Sequence, residues 1–269
     1  MLSALAPARR RLLIGLVVLV GLVLAGVVLL VLPRPGNRQA VGQLRQDRPG
    51  PVLMVPGYGG SGSSLDGLAA ALRRQGKDVT ILQLPGNGTG DLRQQARVLG
   101  RAAQDARART GAPSVDVVGY SAGGVVARYW LEELGGAALT RRLVTVGSPH
   151  HGTELAELGT LVAGGCPAAC QQLQPDSPLL TELDRLAARG PSGPRVVSIW
   201  TTFDDVVVPP DSARLAGALN LTVQGVCSAS RVGHSALPSD PVVQAMVSAQ
   251  LGPGPTGQVG PQDCRRSLP

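Results

Sequence analysis

The chain has 269 residues, of which 43% are hydrophobic and only 2% aromatic, and its 25 basic and 18 acidic side chains give a formal charge of +7. This length suits one α/β domain or two small ones with a sizeable core, and the composition excludes both a disordered and a collagen-like chain. Most of the charge lies near the amino terminus: residues 1–48 carry seven arginines and one acid, and the remaining residues have a net charge of +1. Since the other basic residues form no stripe interleaved with aromatic side chains, the pattern argues against nucleic acid as a partner.

The first feature along the chain is an uncharged apolar segment, Leu12–Leu32, between the cluster Arg9–Arg11 and Arg34. As a helix it would span roughly 31 Å at about 1.5 Å per residue, which matches the hydrocarbon core of a bilayer. It exceeds the apolar region of a normal signal peptide, about 7–15 residues, and no small-x-small cleavage site follows it. We therefore expect a single-pass signal anchor in the cell membrane, with residues 1–11 in the cytoplasm and the remainder exported. The alternative is a cleaved signal peptide, which would make the protein secreted.

Residues 33–50 are polar and proline-flanked, which is typical of a linker. From residue 51 to residue 269, apolar runs typical of strands alternate with helical patterns. The predicted strands are Val52–Val55, Val79–Leu84, Val115–Val118, Leu143–Val146, Val196–Trp200 and Leu221–Val223. The predicted helices are Leu65–Leu72, Leu92–Ala108, one from the third strand through Leu134, and a last one over about Val242–Leu251. This alternation predicts an α/β fold, a mostly parallel sheet with helices on both faces. Residues 153–194 interrupt it and are interpreted as an insertion, either a lid or a wall at one end of the sheet.

All four cysteines lie in the part expected to be exported, and an even number fits two disulfides in an oxidising compartment. Pairing each cysteine with the nearer one along the chain predicts Cys166–Cys170 and Cys227–Cys264. The loop-closure entropy predicts that the first disulfide raises the free energy of unfolding by roughly 2 kcal/mol and the second, which closes a longer loop, by roughly 4 kcal/mol. A metal site is the weaker alternative, because the spacing in CPAAC is not that of a zinc knuckle and no histidine lies near. No metal and no cofactor are expected.

The strongest chemical signal is a G-x-S-x-G motif, Gly119–Gly123, placed between a predicted strand and a predicted helix. In that context the serine stands on a sharp, strained turn as a nucleophile. The residues two positions before and after the serine, Gly119 and Gly123, must then lack side chains to avoid clashes, and the helix amino terminus favours negative charge near Ser121. The alternative is a glycine-rich turn with an idle serine, which the flanking strand and helix patterns argue against.

A serine nucleophile needs a general base and an orienting carboxylate. His234 lies in a loop after the last predicted strand, where a parallel sheet presents residues at its carboxyl edge. Asp204 and Asp205 directly follow another strand and give the order Ser…Asp…His. Asp211, one short loop further on, is a weaker candidate for the acid. His150 and His151 follow the strand Leu143–Val146 and are interpreted as loop histidines in the wall of the site.

Acyl transfer also needs donors for an oxyanion. The first strand ends in the turn Pro56–Gly60, where the backbone N–H of Tyr58 can converge with that of Ala122 on one oxygen. The alternative is a phosphate-binding loop, but the G-x-x-x-x-G-K-[ST] pattern is absent and no lysine lies near.

Together these segments resemble α/β-hydrolases of the bacterial, actinobacterial-type lipase and esterase class. The resemblance extends from Pro51 to Leu251 and rests on Pro56-Gly57-Tyr58, Gly119–Gly123, Gly147–Gly152, Asp204–Val207 and Val232-Gly233-His234. It implies the α/β-hydrolase fold, a catalytic set of Ser121, Asp204 and His234 with Asp205 as the alternative acid, and Tyr58 and Ala122 as oxyanion donors.

The activity that the resemblance implies is cleavage of carboxylic esters of lipids or other small molecules, through an acyl-enzyme, by a monomeric protein. Two alternatives remain open at the level of the sequence. A cell-envelope acyltransferase would use the same residues with an acceptor other than water. A catalytically inactive hydrolase fold would serve as an anchored binding module, although the complete set of Ser, Asp and His argues against it.

Overall fold

The apolar runs of the sequence form one parallel, six-stranded sheet in a computed structural model that describes residues 44–60, 62–158, 165–187, 193–257 and 259–267. The strands are β1 (Val52–Val55), β2 (Val79–Ile81), β3 (Val115–Tyr120), β4 (Thr140–Val146), β5 (Arg195–Trp200) and β6 (Leu219–Thr222). They lie in the order β2-β1-β3-β4-β5-β6, and all neighbouring pairs are parallel. Every residue of β1, β3 and β4 is buried. Strands β1 and β3 consist mostly of apolar residues, as expected for buried parallel strands, whereas β4 also buries two arginines and two threonines.

Helices cover both faces of this sheet. They are α1 (Asp66–Arg74), α2 (Leu92–Thr110), α3 (Ala122–Glu133), α4 (Glu154–Leu158), α5 (Ala168–Gln172), α6 (Pro178–Ala187), α7 (Val223–Val226), α8 (Pro241–Gln250) and α9 (Pro261–Ser267). Residues of α2 to α6 pack in one apolar cluster, and residues of α1, α7 and α8 pack in a second. The sheet thus separates two cores, and the predicted fold class, a parallel sheet with helices on both faces, is confirmed.

Local sequence sets the ends of the longest helices. The Asp91 carboxylate accepts a hydrogen bond from the Arg93 N–H at 2.8 Å and caps α2, which ends at Gly111 in the left-handed conformation. The Asp240 carboxylate caps α8 in the same way, through the N–H groups of Val242 and Val243. The caps fix where α2 and α8 begin, and their buried apolar residues pack in the two different clusters.

A buried ion pair links neighbouring strands at the amino edge of the sheet. The side chains of Arg141 and Asp116 are both fully buried and lie 2.5 Å apart at their closest atoms. Arg141 also donates to the carbonyl oxygens of Gln46 and Leu251, at 3.0 and 3.1 Å. The segment that enters the domain and the carboxyl end of α8 are therefore fixed at the amino ends of the strands.

Both predicted disulfides are present, Cys166–Cys170 and Cys227–Cys264, with Cα–Cα distances of 5.4 and 5.2 Å. The prediction that the helix near Val242–Leu251 is the last one is wrong, because α9 follows it. Helix α9 is short and has no apolar periodicity; it packs against α7 and α8, and the disulfide between Cys264 and Cys227 fixes it there. Strand β6 also ends one residue earlier than predicted, since Val223 begins α7.

The predicted membrane segment Leu12–Leu32 lies outside the described residues. Within the described part of the chain, no helix has both the length and the apolarity needed to cross a membrane.

Candidate active site

Ser121 stands on the turn between β3 and α3, in a backbone conformation that is rare for a residue with a side chain, with φ 52° and ψ −128°. The tight turn requires glycine two residues before and two residues after the serine. A Cβ on Gly119 would lie 2.5 Å from the Cα of Gly124, and a Cβ on Gly123 would lie 2.2 Å from the carbonyl oxygen of Val55. The Ser121 N–H donates to the carbonyl oxygen of Val146 at 2.9 Å, which ties the turn to the end of β4. The serine side chain is thus presented at the carboxyl edge of the sheet.

The His234 side chain is directed at this serine. Its Nε2 lies 3.0 Å from the Ser121 Oγ, and its Nδ1 lies 2.8 Å from the Asp204 Oδ2. The imidazole and the Asp204 carboxylate are both buried. A continuous line of hydrogen bonds therefore runs from the serine hydroxyl through the imidazole to a carboxylate.

The two neighbouring acids, Asp204 and Asp205, make different contacts. The Asp204 Oδ1 accepts from the N–H groups of Val206 and Val207, at 3.0 and 2.7 Å, and the other oxygen, Oδ2, contacts the imidazole. The Asp205 Oδ1 accepts from the backbone N–H of His234 at 3.2 Å. Asp211 lies in a separate single turn and is exposed. Of these acids, Asp204 is the one that contacts the imidazole ring.

The loop after β1 lies against the serine. A Cβ on Gly57 would be 2.9 Å from the Cβ of Ser121, so only glycine permits this approach. Tyr58 follows directly and is partly exposed at the mouth of the site. Ala122 is the first residue of α3, so its N–H has no acceptor inside the helix. The two residues predicted as oxyanion donors thus flank the serine from two elements.

A cavity of about 340 Å³ opens beside Ser121. Most of its wall is apolar and comes from the loop after β1, from α4 and α5 with their neighbours, and from the turn after β5. The lining residues are Tyr58, Ser121, Pro149, Thr153, Leu155, Ala156, Gly165, Pro167, Cys170, Leu173, Val206 and Val207. The insertion therefore supplies a large part of the wall.

The two histidines that were predicted to form the wall of the site are not among the residues that line this cavity. His150 is completely buried, and its Nε2 lies 3.0 Å from the Thr145 Oγ1. His151 is exposed, with its Nδ1 3.0 Å from a carboxylate oxygen of Asp184 on α6. Both side chains are hydrogen-bonded to groups that do not line the cavity.

Sequence reasoning missed Tyr120, the residue before the nucleophile. Its ring stacks on the His234 imidazole with centroids 5.2 Å apart, and its hydroxyl donates to the His234 carbonyl oxygen at 3.1 Å. Burial, together with the charges of Asp204 and Asp205, raises the pKa of Tyr120 to about 12. The G-x-S-x-G pattern leaves this position free, so it gave no signal of a role.

A second residue without a sequence signal is Arg128 on α3, whose side chain is almost fully buried. It donates to Glu132 and Asp184, both at 2.9 Å, and to the His150 carbonyl oxygen at 3.2 Å. These contacts join α6 of the insertion to the helix that follows the nucleophile. Glu132 is a local partner, four residues further along α3, but His150 and Asp184 lie far away in the chain, so no local pattern could reveal the contact with the insertion.

Comparison with known proteins agrees with this fold. Residues 50–161 match the family model described as the alpha/beta hydrolase fold. A lipase B of Aspergillus fumigatus is 20% identical over 86% of this chain and 61% of its own, with a TM-score of 0.68. A lipase of Bacillus licheniformis in its mature form is 19% identical over 66% of this chain and 86% of its own, with a TM-score of 0.56. A structure from a study of two metagenome-derived lipolytic enzymes is 17% identical over 70% of this chain and 87% of its own, with a TM-score of 0.53.

The chain has the α/β-hydrolase fold: the parallel sheet, the serine turn and the family match all lead to this class. It spans 61% of the length of the Aspergillus lipase, so the likeness covers only part of that protein.

Proposed function

We propose that this protein is a serine hydrolase that cleaves carboxylic esters of lipids through an acyl-enzyme. The observation that carries the proposal is the line of hydrogen bonds from the Ser121 Oγ to His234 and on to Asp204, with distances of 3.0 and 2.8 Å. A serine at its ordinary hydroxyl pKa is a weak nucleophile, and this arrangement is the one that activates it.

In the first half of the reaction, His234 Nε2 takes the hydroxyl proton while the Ser121 Oγ attacks the ester carbonyl carbon. The Asp204 carboxylate accepts the Nδ1–H and stabilises the imidazolium that forms. The imidazolium then gives the proton to the departing alcohol, and the acyl group stays on the serine. In the second half, His234 takes a proton from a water molecule while the water oxygen attacks the acyl carbon. The bond to the Ser121 Oγ then breaks, the imidazolium returns the proton to the serine, and the carboxylic acid is released.

The negative charge on the carbonyl oxygen requires donors on the side of the serine opposite the base. We assign this role to the backbone N–H groups of Ala122 and Tyr58. Ala122 begins α3, so the helix dipole adds to its effect. The close approach of Gly57 to Ser121 brings the loop that carries Tyr58 within reach.

The cavity favours an apolar acyl group over a polar substrate. Its wall is mainly aliphatic, and Leu155 and Tyr58 at its border are two of the large hydrophobic side chains that remain exposed. Two of the compared proteins are named as lipases, which supports a lipid ester as the substrate class.

Hydrolysis of a nitrophenyl ester tests the proposal. Ser121→Ala is expected to lower kcat by about 10⁶-fold, because the nucleophile is removed, and Asp204→Asn by roughly 10⁴-fold, because the imidazole loses its orienting acid. Asp205→Asn is expected to lose far less, and Asp211→Asn, an exposed acid outside the site, serves as the control with unchanged kinetics. Retained activity in Ser121→Ala would refute the proposal, and equal losses in Asp204→Asn and Asp205→Asn would refute the assignment of the acid.

We propose further that Leu12–Leu32 anchors the protein in the cell membrane with the hydrolase domain outside the cytoplasm. The support is the uncharged segment itself and the arginines before it. The full chain is expected in the membrane fraction after carbonate extraction, with an intact mass that includes residues 12–32. A soluble protein whose mass begins after residue 32 would instead identify a cleaved signal peptide.

A further inference from the structure

We infer that Tyr120 and Asp205 are positioning residues that fix the main chain of His234 from two sides. The inference rests on the proposed function, since it concerns the residue proposed there as the general base. It gives Asp205, which does not contact the imidazole ring, and Tyr120, which precedes the nucleophile, the role of holding the His234 main chain in place.

The loop that carries His234 has little regular structure to hold it. Gly233 precedes it, and His234 to Ala236 form one isolated helical turn. As the first residue of this turn, His234 has an N–H with no partner inside the turn, and its carbonyl oxygen receives only the Leu237 N–H from the turn itself, at 3.1 Å. The ring position that gives the 3.0 Å contact to Ser121 therefore depends on contacts from other elements.

Asp205 supplies the contact at the N–H group, at 3.2 Å. It follows Asp204 directly, so two successive acids hold the ring and the main chain of the same histidine. The carboxylate also lies beside the preceding residue, since a Cβ on Gly233 would be in ordinary van der Waals contact with the Asp205 Oδ1, at 3.5 Å.

Tyr120 supplies the contact at the carbonyl oxygen, at 3.1 Å, and its ring lies against the imidazole. Because Tyr120 is adjacent to Ser121, one rigid turn presents the nucleophile and holds the base. The raised pKa of Tyr120, about 12, keeps its hydroxyl protonated and able to donate at every pH used in ester assays.

The two contacts differ in charge, and this difference separates their effects. The charged or titratable groups around His234 are Asp204, Asp205 and Tyr120, with Arg231 on the same loop stacked over the Phe203 ring at 4.7 Å. Removing the Asp205 carboxylate takes a negative charge away from the imidazolium, which disfavours its formation. Removing the Tyr120 hydroxyl changes no charge.

The test compares kcat, KM and the pH profile of nitrophenyl-ester hydrolysis in four variants between pH 5 and 9. Tyr120→Phe is expected to lower kcat by roughly 10- to 100-fold, with KM within about twofold and the pH profile unmoved, since misplacement of a reacting group by about 1 Å costs on the order of 10²-fold. Asp205→Ala is expected to lower kcat similarly and to move the acid limb of the profile to lower pH. Asp205→Asn keeps an oxygen for the N–H, so it should recover most of kcat while retaining the shifted limb. Tyr129→Phe, which removes a hydroxyl from a buried tyrosine in the core of α3, is the matched control with wild-type kinetics.

Wild-type kcat in Tyr120→Phe, or equal kcat in Asp205→Asn and Asp205→Ala, would overturn the inference. Ser121→Ala in the same assay distinguishes the two levels of failure. If Ser121→Ala keeps its activity, the proposed function is wrong. If activity depends on Ser121 and the Tyr120 and Asp205 variants match the wild type, only the positioning role is wrong. Melting temperatures of the conservative variants Tyr120→Phe and Asp205→Asn establish that the comparison is made on folded protein.

Discussion

His150 shows how one buried residue can couple the fold to pH. The Thr145 hydroxyl donates to the Ser198 Oγ at 3.1 Å, so it accepts from the Nε2–H of His150, 3.0 Å away. Among the described residues, the Nδ1 of His150 has no hydrogen-bond partner. Complete burial, followed by the positive charge of Arg128, lowers the pKa of His150 well below its usual value. The folded protein therefore keeps this histidine neutral.

The stability of the protein is expected to fall in acid partly because of His150. The unfolded chain binds a proton at this residue below about pH 6.5, whereas the folded state does not, so the free energy of unfolding decreases as the pH falls. The slope is at most about 1.4 kcal/mol per pH unit for one proton. His150→Gln keeps a donor for Thr145 and does not titrate, so its melting temperature relative to the wild type should rise between pH 7.5 and pH 5. Calorimetric scans test this: parallel curves for the two proteins would contradict it, and His151→Gln, at the exposed neighbouring position, should show no such gain.

At the scale of elements, the short helices of the insertion behave as a wall of the site. Ala156, Ala169, Leu173 and Leu183 are buried in the same core cluster as α2 and α3. The Thr153 Oγ1 donates to the carbonyl oxygen of Val206 at 2.7 Å, which joins the start of α4 to the turn that carries the acids. For the described residues of the insertion, 153–158, 165–187 and 193–194, these contacts favour a wall over a lid.

The two disulfides are expected to act on different properties, because they lie on different faces of the sheet. Cys170 lines the cavity, whereas Cys227 packs in the other core. Replacing Cys166 and Cys170 by alanine should lower the free energy of unfolding by roughly 2 kcal/mol and change the KM for long-chain esters. Replacing Cys227 and Cys264 should cost roughly 4 kcal/mol, because the loop is longer, and leave kcat and KM for esters unchanged. Urea unfolding and ester kinetics of the two double variants test this. A larger loss of stability without the Cys166–Cys170 bond, or a changed KM only without the Cys227–Cys264 bond, would contradict it.

For the whole molecule, the parallel sheet and the position of Ser121 could be predicted because their signals are local. Buried strands give continuous apolar runs, and the glycines at 119 and 123 mark the close contacts that the serine turn requires. His234 and the two acids could be placed at the same edge because the carboxyl ends of parallel strands meet there.

The remaining features depend on contacts between distant segments. The sequence does not distinguish Asp204 from Asp205, because both follow β5. In the structure, the N–H groups of Val206 and Val207 orient Asp204 toward the ring. Tyr120 and the contact of Arg128 with the insertion gave no signal for the same reason, since the partners, His234 and Asp184, are far away in the chain.

The two edges of the sheet have different roles, which no sequence motif shows. Arg141 fixes the entering segment at Gln46 on the amino edge, and Ser121 lies at the carboxyl edge.

The most direct test of the central claim, that Ser121 is the nucleophile of this molecule, is labelling with a fluorophosphonate followed by mass spectrometry. The wild-type protein is expected to gain the mass of one phosphonyl group, and peptide mapping should locate it on Ser121, because His234 activates this hydroxyl. Ser121→Ala should remain unlabelled at the same reagent concentration, and His234→Ala should react far more slowly. A wild-type protein that does not react, or an adduct on another residue that persists in Ser121→Ala, would contradict the account.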